Sequence, residues 1–224
     1  MSLSNRLQTI VEFIEPNYHH IWDTCCDHGY LGKALCNSNP ASTIHFVDIA
    51  RHIMLALEHN LKTSFSETNW LCHTISVNAL PIDDYPGRHL VIIAGVGGDL
   101  AAEFVSTIQT NYPTKEIDFI ICPVHHSFVL RKQLIELDFR LLKETLVEEN
   151  NRFYEIIYIS TNCAKLISPV GESFWQHTKP DIALNYLKRL VSHYDKVATH
   201  KVEFQPALNE YLKLTRKLIS LSNN

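Results

Sequence analysis

The feature that most constrains this chain is a regular alternation between brief apolar runs and longer stretches with helical spacing. HIWDTC (20–25), TIHFVDI (43–49), WLCHTIS (70–76), HLVIIAGV (89–96) and IDFIICPV (117–124) are short, mostly apolar and often β-branched, as strands buried on both faces should be. Between them lie candidate helices from Tyr30 to Cys36, Arg51 to Lys62, Asp99 to Thr110 and Ser127 to Leu137. Strand and helix in turn imply βαβ units, hence a parallel sheet covered by helices on both faces. FRLLKETLVEEN and RFYEIIYIST then follow with only a polar Asn150-Asn151 turn between them, and read as an antiparallel hairpin.

Elements flank this α/β unit on both sides. Leu7, Ile10, Val11 and Ile14 recur at helical spacing after Ser4, a natural cap, and Pro16 and Asn17 end that opening helix. Near the other end, Leu187, Leu190, Val191, Tyr194 and Val197 mark one helical face, while Leu208, Tyr211, Thr215 and Leu218 mark another, with Pro206 suited to a first turn. Tyr194 and Tyr211 are expected to pack in an interior rather than stack on bases. The division expected is an α/β domain over 1–165 and a helical hairpin of coiled-coil type over 166–224.

Composition narrows the function classes. With 224 residues, 46% of them hydrophobic, the chain can bury one substantial core. No apolar run approaches the roughly 20 residues of a membrane span, so a soluble, cytoplasmic protein is expected. The six cysteines lack the density of a secreted disulfide framework, and no Cys-x-x-Cys pair is present. Vicinal Cys25 and Cys26 are expected to be reduced, and no metal is expected. His19-His20 and His125-His126 are neighbours whose side chains usually diverge. Net charge is −4, yet from Lys179 onward eight Lys or Arg face four Asp or Glu, so that end is basic.

The rim loops carry the chemistry. In an open α/β sheet a ligand lies beyond the carboxyl ends of the strands, where strand order reverses. DTCCDHGYLG occupies that place after the first strand. Cys25, Cys26 and Gly29 are small enough for backbone to approach a nucleoside, although a left-handed conformation at position 25 would favour glycine there. Asp48, twenty-five residues after Asp23, can accept hydrogen bonds from ribose hydroxyls. Asn78 offers an amide for an adenine edge. Gly95, Gly97 and Gly98, after the fourth strand, form either a ligand-facing loop or a tight turn that packs helix on sheet.

Together these pieces resemble the bacterial tRNA adenine-22 N1-methyltransferase family, across most of the first 160 residues. LSNRLQTIVEFI is similar to its opening helix, DTCCDHGYLG to its first-strand loop, IAGVGG to its Ile-Ala-Gly-Met-Gly-Gly, and LVEENNRFYEII to its final hairpin. Cys25 stands where the family usually has glycine, and CPVHH (122–126) where it has a Gln-Pro-Asn-like string. The resemblance implies a class I Rossmann-like fold using S-adenosyl-L-methionine (AdoMet). The implied cofactor shell is Arg6, Asp23, Cys25, Cys26, His28, Gly29, Asp48, Ile49, Asn78, Ala79, Gly95, Val96, Gly97 and Gly98, with Asp27 and Tyr30 as catalytic residues. The implied partner is tRNA, gripped through phosphate by Lys188, Arg189, Lys196, Lys201, Lys213, Arg216 and Lys217, with Arg131 and Lys132 extending the track. A monomer or weak dimer is expected. Methylation of a small molecule or protein, and a non-catalytic nucleotide-binding module, are the alternatives.

Overall fold

The computed structural model describes residues 3–222. Helix α1 (Asn5–Phe13) opens the chain, with the Ser4 hydroxyl accepting the Leu7 N–H at 3.4 Å. Strands β1 (His20–Thr24), β2 (Thr43–Val47), β3 (Trp70–His73), β4 (His89–Ala94) and β5 (Ile117–Cys122) are all parallel. Helices α2 (Tyr30–Ser38) and α3 (Arg51–Ser64) follow β1 and β2, while α4 (Gly98–Asn111) and α5 (Ser127–Glu136) follow β4 and β5. Only two 3-10 turns, Val77–Ala79 and Ile82–Asp84, connect β3 to β4.

The hairpin β6 (Arg140–Glu149) and β7 (Arg152–Ser160) completes a seven-stranded sheet of order β3-β2-β1-β4-β5-β7-β6, with β7 antiparallel to both neighbours. Asn150 and Asn151 have φ of 50° and 60°, as a type I′ turn requires, and asparagine tolerates that region. Alternate strand residues feed two cores. Ile21, Leu90 and Ile92 meet α1, α2 and α3 on one face, while Trp22, Val91 and Ile93 meet α4 and α5 on the other.

The register also collects histidines on the face of Trp22. His20 Nδ1 lies 3.0 Å from His45 Nε2, and His45 Nδ1 2.9 Å from His73 Nε2. Trp22 Nε1 donates to His89 Nδ1 at 3.1 Å. Burial, helped by the neighbouring imidazoles, pushes His45 down to about 2 and His89 to about 4. Uncharged at neutral pH, these histidines serve as packed core.

Past a short helix, α6 (Glu172–Trp175), the chain forms α7 (Pro180–Ala198) and α8 (Gln205–Ser222), and α7 packs against α8. Tyr194 and Tyr211 are buried with rings stacked at 5.4 Å. Their cluster takes in Phe128 of α5 and Leu146 of β6, so the C-terminal helices share a core with the sheet. No helix among the described residues is long and apolar enough to cross a membrane.

Arg131 corrects one expectation. Instead of extending a phosphate track, its side chain is wholly buried. Its Nε donates to Glu155 Oε2 at 2.7 Å, and its Nη1 lies 2.8 Å from Glu144 Oε2 and donates to the Ser168 carbonyl at 3.1 Å. Tyr186 of α7 donates to the other Glu155 oxygen at 2.7 Å. The reason lies in the hairpin: Leu146 pairs with Glu155 and Glu144 with Ile157, so both carboxylates project from one covered face. A buried cation is what such a pair requires.

Candidate active site

Strand order reverses between β1 and β4, and a cleft of about 240 Å³ opens there at their carboxyl ends. Arg6, Asp23, Cys25, Cys26, Asp27, Tyr30 and Gly95, all expected from sequence, line it together with Leu7, Thr24, Leu31 and Ala94. The last four carried no chemical signal; Thr24 and Ala94 enter as the ends of β1 and β4, Leu31 from the first turn of α2, and Leu7 with Arg6 from α1.

The β1–α2 loop is built by its own backbone. Asp23 is buried and accepts the Gly32 N–H at 2.8 Å, which ties the strand end to α2. Burial raises its carboxyl to about 7, against the pull of that hydrogen bond. Gly32 is obligatory, since a Cβ there would lie 2.2 Å from the Phe46 ring. Cys25, Asp27 and Gly29 have φ of 51°, 48° and 68°, so three alternate residues are left-handed. Both thiols are free; burial, and then the Asp48 and Asp23 charges, raise Cys25 to about 11, which keeps it an unreactive thiol.

Position 25 therefore has the conformation that glycine adopts most easily. Relief of about 1–2 kcal/mol of left-handed strain competes with roughly 0.5–1 kcal/mol of added chain entropy and the loss of a half-buried thiol. Cys25→Gly should accordingly change the unfolding free energy by no more than about 1 kcal/mol. Urea titration reads this, and a loss above about 2 kcal/mol would mean that the thiol supports the loop.

Asp48 is half-buried at the end of β2, its Oδ2 accepting the Asp27 N–H at 3.1 Å and its Oδ1 the Ala50 N–H at 2.9 Å. A carboxylate has about four acceptor sites, so two remain for ribose hydroxyls. Asn78 donates its amide to Glu103 at 3.2 Å, while its Oδ1 is buried with no partner. Arg6 has an equally orphaned Nε, although its guanidinium covers the Tyr154 ring at 4.8 Å. The unpaired Arg6 donor belongs to the cleft lining and suits a carboxylate, while Asn78, in the turn after β3 and outside that lining, offers an unpaired acceptor that suits an amine edge. Ile49 is 74% exposed beside Asp48, and Ala79 is exposed beside Asn78.

The three glycines after β4 divide between the two roles. Gly95, at φ 87°, has open space where a Cβ would stand, so its backbone faces the cleft freely. A Cβ on Gly97 would lie 2.3 Å from the His125 ring, and one on Gly98 2.4 Å from the His126 carbonyl. Packing of the β5–α5 loop requires those two, and Val96 is tied to that loop by accepting the Val124 N–H at 2.9 Å. Asp27 and His28 are exposed, with Asp27 Oδ1 3.6 Å from His28 Nε2, and the Tyr30 ring stands between this cleft and an apolar hollow beside α1.

The basic residues of the C-terminal helices are exposed. Lys188, Arg189 and Lys196 line a shallow depression on α7 with Ser192 and His193, and Arg189 also reaches the Asn151 carbonyl at 2.8 Å. Lys132 and Lys201 are exposed, as are Lys213, Arg216 and Lys217 on α8, where Lys217 approaches Glu172 at 3.6 Å.

A parallel sheet with an antiparallel β7 inserted before its edge, and a rim cleft at the β1/β4 switch point, define the class I methyltransferase architecture. The profile of the family described as "Methyltransferase domain" matches residues 3–157, and the chain belongs to that family. It is 28% identical over 160 residues to the tRNA (adenine(22)-N(1))-methyltransferase of Bacillus subtilis, a match covering 70% of this chain but 64% of that relative's length. Among solved structures it is similar to Mycoplasma capricolum TrmK bound to S-adenosyl-homocysteine, with TM-score 0.74, 21% identity and 96% and 98% of the two chains covered. The Bacillus subtilis M1A22 tRNA methyltransferase TrmK superposes with TM-score 0.69 at 18% identity, covering 98% of each chain.

Proposed function

We propose that this methyltransferase uses AdoMet to methylate N1 of an adenine in tRNA, at position 22 as named for the Bacillus subtilis relative. The observation that carries the reading is the rim cleft, where Arg6, Asp27, Tyr30 and Gly95 surround one space. Bound AdoMet supplies an electrophilic sulfonium methyl. Of this chain's residues, Arg6 suits the amino-acid carboxylate, Asp48 the ribose and the unpaired Asn78 oxygen the adenine amine.

Adenine N1 carries an in-plane lone pair, so no proton leaves before attack. Positive charge then develops on the acceptor ring, and Asp27 is the exposed carboxylate at hand to accept a hydrogen bond from its exocyclic amine and stabilise that charge. Tyr30 presents a half-exposed ring at the cleft mouth to hold the base. Holding reactants about 3 Å apart supplies much of the remaining acceleration.

A base inside folded RNA must first be unstacked, at a cost of roughly a few kcal/mol, which phosphate contacts offset. Residues 166–224, with Lys188, Arg189 and Lys196, serve as the gripping unit. Because α7 shares a core with α5 and β6, deleting the helices would damage the fold, and substitutions are the better probe.

The test is radiolabelled AdoMet with unmodified tRNA transcripts, followed by digestion and chromatography of nucleosides. N1-methyladenosine is expected, and its formation should vanish when adenine 22 is replaced. Label in small molecules or protein and none in RNA would overturn the RNA assignment.

A further inference from the structure

His125 and His126 have no part in the cleft chemistry above, and they do not diverge. His126 is left-handed, with φ 61°, which turns its ring back so that the two imidazoles lie 4.3 Å apart between centroids. His126 Nδ1 is hydrogen-bonded to Asp99 Oδ2, in the first turn of α4. The two loops concerned are tied by backbone: Val124 N–H donates to the Val96 carbonyl, and Gly98 N–H to the His125 carbonyl, each at 2.9 Å. Absence of a Cβ at Gly97 lets the His125 ring sit directly above the β4–α4 turn. One ligand atom from each of Asp99, His125 and His126 lies within 4.8 Å of the other two.

We propose that Asp99, His125 and His126 bind one divalent transition-metal ion of the Zn²⁺, Co²⁺ or Ni²⁺ type through two imidazole nitrogens and a carboxylate oxygen. Two imidazoles and one carboxylate are the donor set these borderline ions take, whereas Mg²⁺ and Ca²⁺ prefer oxygen alone. Metal–ligand bonds of about 2.0–2.1 Å at tetrahedral angles put donor atoms roughly 3.3 Å apart. The present spacings bracket that value, His126 and Asp99 being in direct contact and all three ligand atoms within 4.8 Å, and the His126 and Asp99 side chains, 44% and 58% exposed, have room to turn. The positive ends of α4 and α5 oppose a cation here, but by only about 0.3–1 kcal/mol each, and the Asp99 charge offsets them. The site would clamp the β4–α4 loop, which carries Gly95, to the β5–α5 loop. It depends on neither the RNA reading nor the cofactor.

The test is titration of the full, tag-free chain with Co²⁺, read by visible d–d absorption and by competition with Zn²⁺. Saturation at one equivalent is expected, without the thiolate charge-transfer bands that cysteine ligation would add. Asp99→Asn should weaken binding by more than the roughly 10–100-fold seen when only a supporting group is lost, and joint replacement of His125 and His126 by Ala should abolish it. Metal-free melting of Asp99→Asn should match that of the parent chain, and Zn²⁺ should raise the melting point of the parent alone. No saturable binding, equal binding by the histidine variant, or thiolate bands that disappear in Cys25→Ser would each overturn the assignment.

Discussion

Asp27→Asn should lower the single-turnover rate of methyl transfer by about 100- to 1000-fold while leaving AdoMet affinity within about twofold, the size of loss typical when one preorganised electrostatic group is removed. Asparagine is the informative replacement. Position 27 is left-handed at φ 48°, a conformation that Asn tolerates and Ala does not, so an alanine variant would mix loop strain with lost charge. The side chain is exposed at the cleft and its backbone N–H, rather than its carboxylate, bonds Asp48. Its removal therefore leaves the Asp48 anchor in place. Quench-flow with saturating tRNA gives the rate and calorimetry the affinity. A rate within about threefold of the parent would remove Asp27 from the mechanism.

Arg131→Ala should cost about 3–5 kcal/mol of unfolding free energy, because Glu144 and Glu155 would be left buried without a cation. At this chain length each kcal/mol moves the melting point by roughly 2–4 °C, so a drop on the order of 10 °C is expected by calorimetry. Burial alone would raise Glu144, but the Arg131 charge and the Ser173 hydrogen bonds hold it below the usual range, so it stays ionised. Neutralising all three residues together, Arg131→Met with Glu144→Gln and Glu155→Gln, should cost less than the single change, since no charge is then stranded. A single-variant loss under about 1 kcal/mol would show that packing alone holds α7 to the hairpin.

What the sequence made legible follows from the strength of each local signal. Strands β1 to β5 and helices α1 to α5 were readable within a few residues because each has one period and a clear boundary, as with Ser4 before α1. The rim residues were readable because parallel topology itself places the ends of β1, β2 and β4 together. Arg131 was misread because a lone arginine in a weakly amphipathic helix looks exposed. The signal lay elsewhere: a two-residue turn at Asn150-Asn151 fixes the register, and the register puts Glu144 and Glu155 on one face. The histidine face was out of reach, since the offset between parallel strands is set by tertiary packing. The convergence of His125 and His126 depends on a left-handed residue that nothing in CPVHH announces.

The position of β7 bears on how the protein can be made. The strand that arrives last in sequence is not the outermost; it slots between β5 and β6, so β6 must wait at a distance until its successor exists. On the ribosome, a nascent chain halted at Glu149 would hold an open β5 border and an unpaired β6, two sticky edges at once. The two-residue turn lets β6 and β7 pair locally and add to β5 as one hairpin, and that hairpin supplies Leu146 to the core on which the α7–α8 pair packs.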